Sequence, residues 1–460
     1  MKPKYICLLL LGLLPFFVNG QQFLTLGQCR DIAVKNNKKM KVAEASLEKA
    51  SYDVKSYRAN FLPKLSATGL GYYTNSSIDV AVKVPDISLF DASILSPYLP
   101  TSWIQAITRF TTISIPDIGF NIKPNNTYLA GVNIQQPVFM GGKITSAYKM
   151  SKIGKEVADL NINMTESEII AKIDEAYWLH IQTMELQKSA VRYKEVVEEL
   201  YRNVQDAKDV GMLPYNDVLK VQVKMDEAEL QLRQAENGMR LSRMNLCQIM
   251  SLPLDSMIII ADSMKETEVI LEYNSDISSR PEYTMLGKQI ELKFQQIKLV
   301  RSDFLPNIGV SGGYNYTYGL RLNDEPLLNN GSFFGMFSVN IPLFHWGEGR
   351  NKIKSATLEK QMVEIQRDEM SEMMILELTK AYNDYDEAAL KVKLMERTLL
   401  QADENLKKNR DYYEVGLATL AEYLEAQTLW QKASTDFINA KAVMNLSKTY
   451  YLKAAGKLQY

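Results

Sequence analysis

Four stretches of the chain contain no charged residue and alternate between apolar and polar side chains. They cover residues 65–78, 124–142, 304–320 and 326–347. Glycine and asparagine interrupt each of them, and proline interrupts three of the four, so none can form an apolar helix long enough to cross a membrane. The period of two residues instead predicts strands with one apolar and one polar face, over residues 65–75, 127–136, 307–320 and 332–341.

Aromatic residues are concentrated in these predicted strands. Apolar faces with clustered tyrosines are typical of the wall of a transmembrane β-barrel, in which aromatic side chains form a girdle at the membrane surface. The candidate girdle consists of Tyr72, Tyr73, Tyr314, Tyr316, Tyr318, Phe333 and Phe337.

Most of the remaining chain has a helical pattern. Residues 142–210 contain no proline and no glycine after Gly154, and good helix formers dominate, which predicts one helix about 100 Å long at 1.5 Å per residue. Residues 347–415 repeat this pattern. Shorter helices are predicted over residues 26–60, 214–250, 281–303 and 417–455, and a small mixed segment over 252–280 joins the two halves.

Two copies of one plan make up the chain. The motif Arg-x-x-Phe-Leu-Pro that ends at Pro63 recurs 243 positions later, ending at Pro306. Later matches keep a spacing of 205: residues between Pro137 and Gln222 recur up to Gln427. A constant spacing over this length predicts two structural repeats. They cover residues 21–251 and 281–460, and the first carries 38 additional residues between Pro63 and Pro137.

Each repeat supplies two strands, so one chain supplies four. Four strands cannot close even a small barrel, and lipid does not tolerate open strand edges because no water there can pair with the backbone. Several copies must therefore share one wall. Two copies would give about eight strands and three copies about twelve, and the pattern alone does not choose between them.

The composition narrows the function classes. The 460 residues are 46% hydrophobic and 23% charged, as expected of a folding chain, and the net charge of −1 gives no general footprint for nucleic acid. Two histidines, His180 and His345, and three cysteines leave little material for metal or thiol chemistry. No nucleophile and base set or phosphate-binding loop is evident, so we predict that the protein is not an enzyme.

Residues 1–20 have the pattern of a cleaved secretory signal. Lys2 and Lys4 precede an apolar stretch that ends in small residues. Export places the remaining cysteines in an oxidising compartment. Cys29 lies at the start of the first helix and Cys247 at the end of the helix over 214–250, so a disulfide between them is an open alternative to two free thiols.

Several motifs together resemble the TolC family of outer-membrane efflux proteins. They are Phe-Leu-Pro before a strand in each repeat, Pro-Val-Phe-Met-Gly-Gly at 137–142, Pro-Leu-Phe-His-Trp-Gly at 342–347, and the helix ends at 210–213 and 415–418. The resemblance implies an α+β membrane protein, a homotrimer in which a twelve-stranded transmembrane β-barrel continues into a twelve-helix periplasmic α-barrel. It implies docking through a periplasmic adaptor protein on an inner-membrane pump of the RND, ABC or MFS class. It implies no cofactor and a location in the outer membrane, in contact with its lipid.

The resemblance also assigns roles at the periplasmic end. Glu422 and Glu425 match an acidic pair that lines the narrowest part of the tunnel, where repeated copies would form a ring that attracts cations. Tyr413 and Asp217 match residues that tie adjacent coils together in the closed state. Ala418 stands where the family pattern has arginine, which puts one contact of this latch in doubt.

The ends of the two long helices are the expected adaptor-docking surface. Glycine at each end suits a helix C-terminus. The alternative is that the apolar side chains at these ends pack against neighbouring protomers. The candidate tip residues are Val210, Gly211, Met212, Leu213, Val415, Gly416, Leu417 and Ala418.

Proline marks the predicted switches between helix and strand. It lacks an N–H and disfavours helical conformation in the preceding residue. The candidate switch residues are Pro63, Pro137, Pro306 and Pro342.

The additional residues of the first repeat fall in a predicted extracellular loop over 76–126. Its prolines should limit regular structure, yet it is rich in apolar side chains such as Leu89 and Trp103. A lid over the extracellular mouth and a loop packed on its neighbours are both consistent with this pattern.

Three functions fit the sequence to different degrees. The first is a passive exit duct for drugs and other small molecules in a tripartite efflux pump. The second is the same duct in a type I, ABC-driven protein secretion system. The third, a periplasmic structural coiled-coil protein, predicts no barrel strands.

Overall fold

The structure, a computed structural model, describes residues 22–89, 91–97, 100–114, 116, 118–123, 126–262 and 272–458. The secretory signal predicted over 1–20 lies outside the described residues, as does part of the segment 252–280. Two compact units are present. The helical unit takes in the described residues up to Val54, those from Met150 to Phe294 and those from Thr357 onward. The sheet unit takes in Lys55–Lys149 and Gln295–Ala356, so each unit draws on both sequence repeats.

The elements follow one another in an order that repeats. The helices are α1 (Leu26–Asn36), α2 (Lys38–Ala59), α3 (Thr101–Thr111), α4 (Lys143–Asp209), α5 (Tyr215–Ile249), α6 (Pro281–Ser302), α7 (Glu348–Glu414) and α8 (Leu420–Ala454). The strands are β1 (Gln22–Leu24), β2 (Lys64–Tyr72), β3 (Ile78–Val82), β4 (Ile87–Ser88), β5 (Thr112–Ile113), β6 (Ile118–Lys123), β7 (Thr127–Met140), β8 (Ile258–Ile260), β9 (Asn307–Leu322) and β10 (Glu325–Asn340).

Corresponding helices of the two repeats have equal lengths. The long helices α4 and α7 each have 67 residues, and α5 and α8 each have 35. Helices α2 and α6 each have 22 residues. Their boundaries are related by the same spacings of 205 and 243 that the sequence motifs keep. The duplication therefore extends from individual residues to whole elements.

The helix predicted over 26–60 is divided at Asn37, which corrects the prediction. Asn37 has an extended backbone (φ −61°, ψ 132°), and its N–H closes the last turn of α1 on the Ala33 carbonyl at 2.9 Å. Its side chain accepts from the Lys39 N–H at 2.8 Å and donates to the Ile249 carbonyl at 3.2 Å. One residue thus satisfies backbone groups at three helix ends, two of them through its side chain.

A buried ion pair holds three helices of the helical unit together. Asp174 of α4 has no exposed side-chain surface, and it accepts from the Arg30 guanidinium of α1 at 2.7 and 2.5 Å. The Thr449 hydroxyl of α8 donates to the same carboxylate at 2.8 Å. Because a buried charge without its partner is strongly unfavourable, this contact fixes α1 and α8 against α4.

The central strands of the sheet unit are antiparallel, in the order β2, β7, β9, β10. Lys64 lies opposite Gln135 where β2 begins, and Asn307 lies opposite Asn340 where β9 begins. These two pairs are related by the repeat spacings of 243 and 205. The strand register is therefore duplicated along with the sequence.

The predicted loop over 76–126 includes residues that form strands, so the predicted range was too wide. Strands β3 and β6 continue the first hairpin outward, with Ile78 opposite Ile122, and β6 also pairs with β9. The alternation of apolar residues continues through both strands, but Asp79 and Lys123 place them outside the charge-free stretches. The expectation that prolines limit regular structure was wrong for these strands and for helix α3 between them.

Pro137 does not lie at a switch between strand and helix, which corrects the prediction. Strand β7 continues to Met140, with a bulge between Pro137 and Phe139. A bulge tolerates proline because it interrupts the ladder of backbone hydrogen bonds. The other three prolines lie in segments between a helix and a strand: Pro63, Pro306 and Pro342.

Two consecutive residues with positive φ precede each long helix. They are Gly141 (59°) and Gly142 (87°) before α4, and Trp346 (48°) and Gly347 (82°) before α7. The pairs correspond at the spacing of 205. At Gly141 only glycine fits, because an added Cβ would lie 2.7 Å from both the Leu305 Cβ and a backbone carbonyl oxygen.

We expect Gly141→Ala to destabilise the protein more than Gly142→Ala. Both substitutions place a Cβ on a backbone with positive φ, at roughly 1–2 kcal/mol. Only Gly141 also lacks space, since an added Cβ at Gly142 meets nothing within 4 Å. The comparison is the thermal unfolding midpoint of the two purified variants in detergent. Equal midpoints would contradict the steric argument.

Candidate functional site

The long helices α4 and α7 end in the same hydrogen-bonded turn. Gly211 and Gly416 have φ values of 81° and 76°, which let the chain reverse. The N–H groups of Met212 and Leu417 then donate to the carbonyls five residues earlier, at 2.8 and 2.7 Å. This Schellman turn satisfies the last carbonyls of each helix and directs the chain into α5 or α8.

Both turns expose apolar side chains in the single chain. The exposed fractions are 71% for Val210, 79% for Met212, 68% for Val415 and 77% for Leu417. Leu213, in contrast, packs against the buried cluster beneath the tips, which includes residues of α4, α5 and α8. A buried cluster of side chains thus lies next to the two turns, and the turns themselves carry exposed apolar side chains.

Glu422 caps the start of α8. Its carboxylate accepts from the N–H and the hydroxyl of Thr419, at 2.7 and 2.9 Å, while the Glu422 N–H donates back to the Thr419 hydroxyl at 3.3 Å. These bonds, first that of the backbone N–H and then that of the hydroxyl, lower the pKa of Glu422. Glu425 is also exposed, so both carboxylates of the predicted ring reach solvent in the single chain.

The acidic pair has a different counterpart in the first repeat. At the spacing of 205, Glu422 corresponds to Asp217 and Glu425 to Lys220. Asp217 and Lys220 form an ion pair at 2.9 Å. The tip of the second repeat therefore carries two like charges where the tip of the first repeat has a neutral pair.

Tyr413 and Asp217 line one cavity of about 650 Å³ between the two tips. Within the chain each has another partner: Asp217 accepts from Lys220, and the Tyr413 ring stacks on Tyr423 with centroids 5.5 Å apart. Burial, and then the charge of Asp217, raises the pKa of Tyr413, so its hydroxyl stays protonated and able to donate. The latch between these two residues stays a prediction.

Sequence reasoning missed two residues at this site. Thr419 could have been found, because Thr-x-x-Glu before an apolar run is the pattern of a capping box. Arg410 lines the same cavity as Ala418, with its Nε 3.9 Å from a Glu414 carboxylate oxygen. It lies eight residues before Ala418, and no local pattern indicates that both reach one cavity.

The candidate girdle lies on exposed surface of the sheet unit. All seven side chains are exposed, from 41% for Tyr314 to 85% for Phe333, and these two rings contact each other across β9 and β10 at 4.8 Å. Tyr314, Tyr316 and Tyr318 follow one another on one face of β9. Their role as a girdle stays a prediction.

The remaining candidates are placed as follows. Cys29 and Cys247 are free thiols in one buried cluster, and burial raises the pKa of Cys29 to about 12. His180 is buried beside the Ser242 hydroxyl at 2.9 Å, and its pKa is lowered to about 4 by burial and then by Arg243. No described helix is long and apolar enough to cross a membrane. Within the described ranges, no three His, Cys, Asp or Glu side chains lie together as a metal site.

Comparison with known proteins identifies the family. Residues 30–251 and 274–449 match the family described as Outer membrane efflux protein. The chain belongs to this family. The resemblance to the TolC family predicted from the motifs is confirmed.

Two curated relatives match over most of their length. The chain is 21% identical over 380 residues to Outer membrane protein TolC of Vibrio cholerae, with 77% of this chain and 85% of that protein covered. It is 20% identical over 368 residues to Toxin and drug export protein A of Aggregatibacter actinomycetemcomitans, with 71% and 79% covered.

A solved structure has the same fold. The open state of the MtrE outer membrane channel of Neisseria gonorrhoeae superposes with a TM-score of 0.74 at 16% identity, over 94% of this chain and 89% of that chain. The efflux protein described here thus shares its fold with an outer-membrane channel.

We expect Thr419→Ala to loosen the first turn of α8. Loss of a capping hydroxyl costs about 1 kcal/mol, which corresponds to roughly fivefold faster exchange of the first amides of the helix. Hydrogen exchange measured by mass spectrometry reports on residues 420–426. The control is Thr428→Ala, whose hydroxyl donates only within the helix, to the Leu424 carbonyl at 2.9 Å. Equal exchange in the two variants would contradict the capping role.

Proposed function

We propose that this efflux protein is the outer-membrane channel of a tripartite efflux pump, a passive exit duct for drugs and other small molecules. Three copies would close a twelve-stranded barrel in the outer membrane, and their helical units would extend into the periplasm. An adaptor protein would connect the duct to an inner-membrane pump of the RND, ABC or MFS class. The observation that carries the proposal is the open sheet of the single chain, which has an exposed apolar face.

The sheet supports a location in lipid. Large apolar side chains are exposed on every central strand, among them Leu65 at 73%, Val132 at 49%, Tyr316 at 44% and Phe337 at 67%. A monomer in water rarely exposes a continuous apolar surface of this kind. Lipid or another protein must cover it, and closure with further copies would also pair the strand edges.

The tips support a periplasmic entrance that docks a partner. Four apolar side chains, those of Val210, Met212, Val415 and Leu417, are exposed on the two hydrogen-bonded turns. A partner that covers them would gain free energy from the burial of their apolar surface. The carboxylates of Glu422 and Glu425 would be repeated in each copy. Six like charges around a narrow opening would attract cations and favour their passage.

Protein secretion is the alternative function. One of the relatives, Toxin and drug export protein A, has both cargo classes in its name. Cargo would be selected by the pump and the adaptor, so the duct itself can serve either. A periplasmic structural coiled-coil protein does not account for strands of 14 and 16 residues with exposed apolar faces.

Deletion of the gene in its native host is expected to make the cell more susceptible to drugs. Loss of the duct stops export by every pump that uses it, so minimal inhibitory concentrations of several unrelated compounds should fall together, and a plasmid copy should restore them. If susceptibility is unchanged and a secreted polypeptide disappears from the medium, the proposal of drug export is contradicted. Protein secretion would then be the function of the channel.

Glu425→Gln is expected to weaken the preference of the channel for cations. Each copy loses one charge at the proposed opening, so the K⁺ to Cl⁻ permeability ratio in planar bilayers should fall by roughly half. The matched control is Glu229→Gln, which removes an exposed carboxylate from the middle of α5. Equal permeability ratios for the two variants would place the acidic pair outside the conduction path.

A further inference from the structure

The segments of the sheet unit that border the strands on the helical side are strongly basic. They contain nine lysine and arginine residues against two acidic residues, although the whole chain has nearly equal numbers of both signs. All nine basic side chains are exposed. The excess of positive charge is therefore local to the level at which the strands give way to helices. The four segments are residues 55–63, 143–149, 295–303 and 348–356.

A cavity of about 450 Å³ shows which side of these helices continues the polar face of the sheet. Its sheet lining includes Ser338, from the strand face that alternates with the exposed apolar residues of β10. Helix α2 contributes Tyr57 and Asn60 to the same cavity, and α4 contributes Ile144 and Ala147. These residues therefore mark the polar side of α2 and α4.

Basic side chains lie on the opposite side of both helices. At about 100° per residue, Lys55 lies about 170° round α2 from the midpoint of its two cavity residues, and Arg58 lies about 130° from it. Lys149 lies about 170° round α4 from the midpoint of the cavity residues of that helix. These three side chains thus project on the apolar side of the sheet.

The second repeat has the same arrangement. Lys298 and Arg301 follow Lys55 and Arg58 by 243 positions, and Lys354 follows Lys149 by 205. Arg350 occupies the position of a threonine in the first repeat, on the same side of the helix as Lys354. Three basic positions are therefore present in both repeats. Together the seven residues form a basic belt: Lys55, Arg58, Lys149, Lys298, Arg301, Arg350 and Lys354.

The acidic residues of this level are already paired with lysines outside the belt. The Lys143 ammonium lies 2.9 Å from the Asp303 carboxylate, and the Lys352 ammonium lies 2.5 Å from that of Glu348. Within the described part of the chain, five members of the belt form no ion pair: Arg58, Lys149, Arg301, Arg350 and Lys354. The chain thus balances charge outside the belt and leaves the belt itself positive.

We propose that the basic belt binds the phosphate headgroups of anionic phospholipids in the periplasmic leaflet of the outer membrane. This inference rests on the proposed function, which places the apolar face of the sheet in lipid and the helical units in the periplasm. Headgroups then lie at the level where the apolar strands end, beside the belt. Lysine and arginine donate charge-assisted hydrogen bonds to phosphate oxygens.

Aromatic side chains lie between the strands and the belt. Phe344 and Trp346, which connect β10 to α7, are 70% and 90% exposed, and their ring centroids are 4.9 Å apart. Tryptophan is enriched at membrane surfaces because its ring is apolar and its N–H needs a polar partner. The order of apolar strand, aromatic pair and basic belt matches the order of acyl chain, interface and headgroup in a phospholipid leaflet.

A second copy of the chain does not account for the belt. Every copy carries the same excess of positive charge at this level, so neighbouring copies add repulsion between like charges. An acidic partner protein would supply the opposite charge. The belt adjoins the apolar face of the sheet, however, and lipid is the neighbour of that face in the proposed channel.

Electron spin resonance of spin-labelled lipids tests the proposal. The purified channel is reconstituted in phosphatidylcholine vesicles that contain a trace of spin-labelled phosphatidylglycerol or spin-labelled phosphatidylcholine. The measured quantity is the fraction of label that the protein surface immobilises. Wild-type protein should prefer phosphatidylglycerol by roughly threefold at low salt. Salt at about 1 M should remove most of this preference, because the Debye length is then about 3 Å.

Neutralisation of the belt should abolish the preference. The belt variant R58Q/K149Q/R301Q/K354Q removes four side chains without an ion pair in the described chain and should immobilise both lipids equally. The control variant K41Q/K49Q/K391Q/K407Q removes the same charge from exposed positions of the helical unit. It should keep the preference of the wild type.

A preference that persists in the belt variant, or an equal loss in the control variant, would overturn the role of the belt. Equal immobilisation of the two lipids by the wild type would overturn it as well, while leaving the channel in lipid as the proposed function requires. Absence of an immobilised component for either lipid is a different result. It would contradict the proposed function itself, because the sheet would then have no contact with lipid chains.

Discussion

Among the described strands, the outer edges of β2 and β10 have no partner strand, and this is the constraint on which the rest of the molecule depends. In water an exposed strand edge is a liability, and in lipid it is excluded, because no solvent replaces the missing hydrogen bonds. One chain has too few strands to remove its own edges. Its sheet can be stable in a membrane only if another copy supplies the next strand, so assembly and membrane insertion are the same physical problem.

The duplication within the chain follows from that problem. Each repeat has the same two strands and the same helical hairpin. Contacts between neighbouring chains can therefore have the same geometry as contacts between the repeats of one chain. The helical hairpins of the two repeats must then have equal lengths. The tip of a longer hairpin would extend past the buried cluster that joins residues of α4, α5 and α8. Both hairpins have helices of 67 and 35 residues. The additional residues of the first repeat lie instead beyond β2 and β7, where no counterpart must match them.

Periodicity was sufficient to locate the long elements, because 67 residues without proline leave little freedom, and because the repeat spacing supplies each boundary twice. It failed where one side chain changes the local outcome. Asn37 ends α1 through hydrogen bonds to residues far along the chain. Strands β3 and β6 were not predicted, because Asp79 and Lys123 exclude them from the charge-free stretches. Pro137 was predicted to end a strand, but a bulge accommodates it within β7. At the tips, Gly211 and Gly416 indicate the turns in the sequence. The side chains that line the cavity between the tips could not be predicted, because they depend on how α4, α5, α7 and α8 pack.

The two repeats differ in charge at the start of α5 and α8, where their sequences otherwise correspond. An Asp217–Lys220 ion pair would stabilise the start of α8 as it does α5, yet the second repeat has Glu422 and Glu425 there. Two like charges three residues apart disfavour a helix by a few tenths of a kcal/mol, roughly the amount an ion pair contributes. The capping bonds of Glu422 to Thr419 offset part of that loss and hold the carboxylate ionised. Glu422 also lies in the first turn of α8, where the helix dipole favours a negative charge, so the acidic pair remains compatible with a stable helix start. Trp346 likewise keeps a backbone conformation that suits glycine, with a φ of 48°, at the position where the first repeat has Gly141.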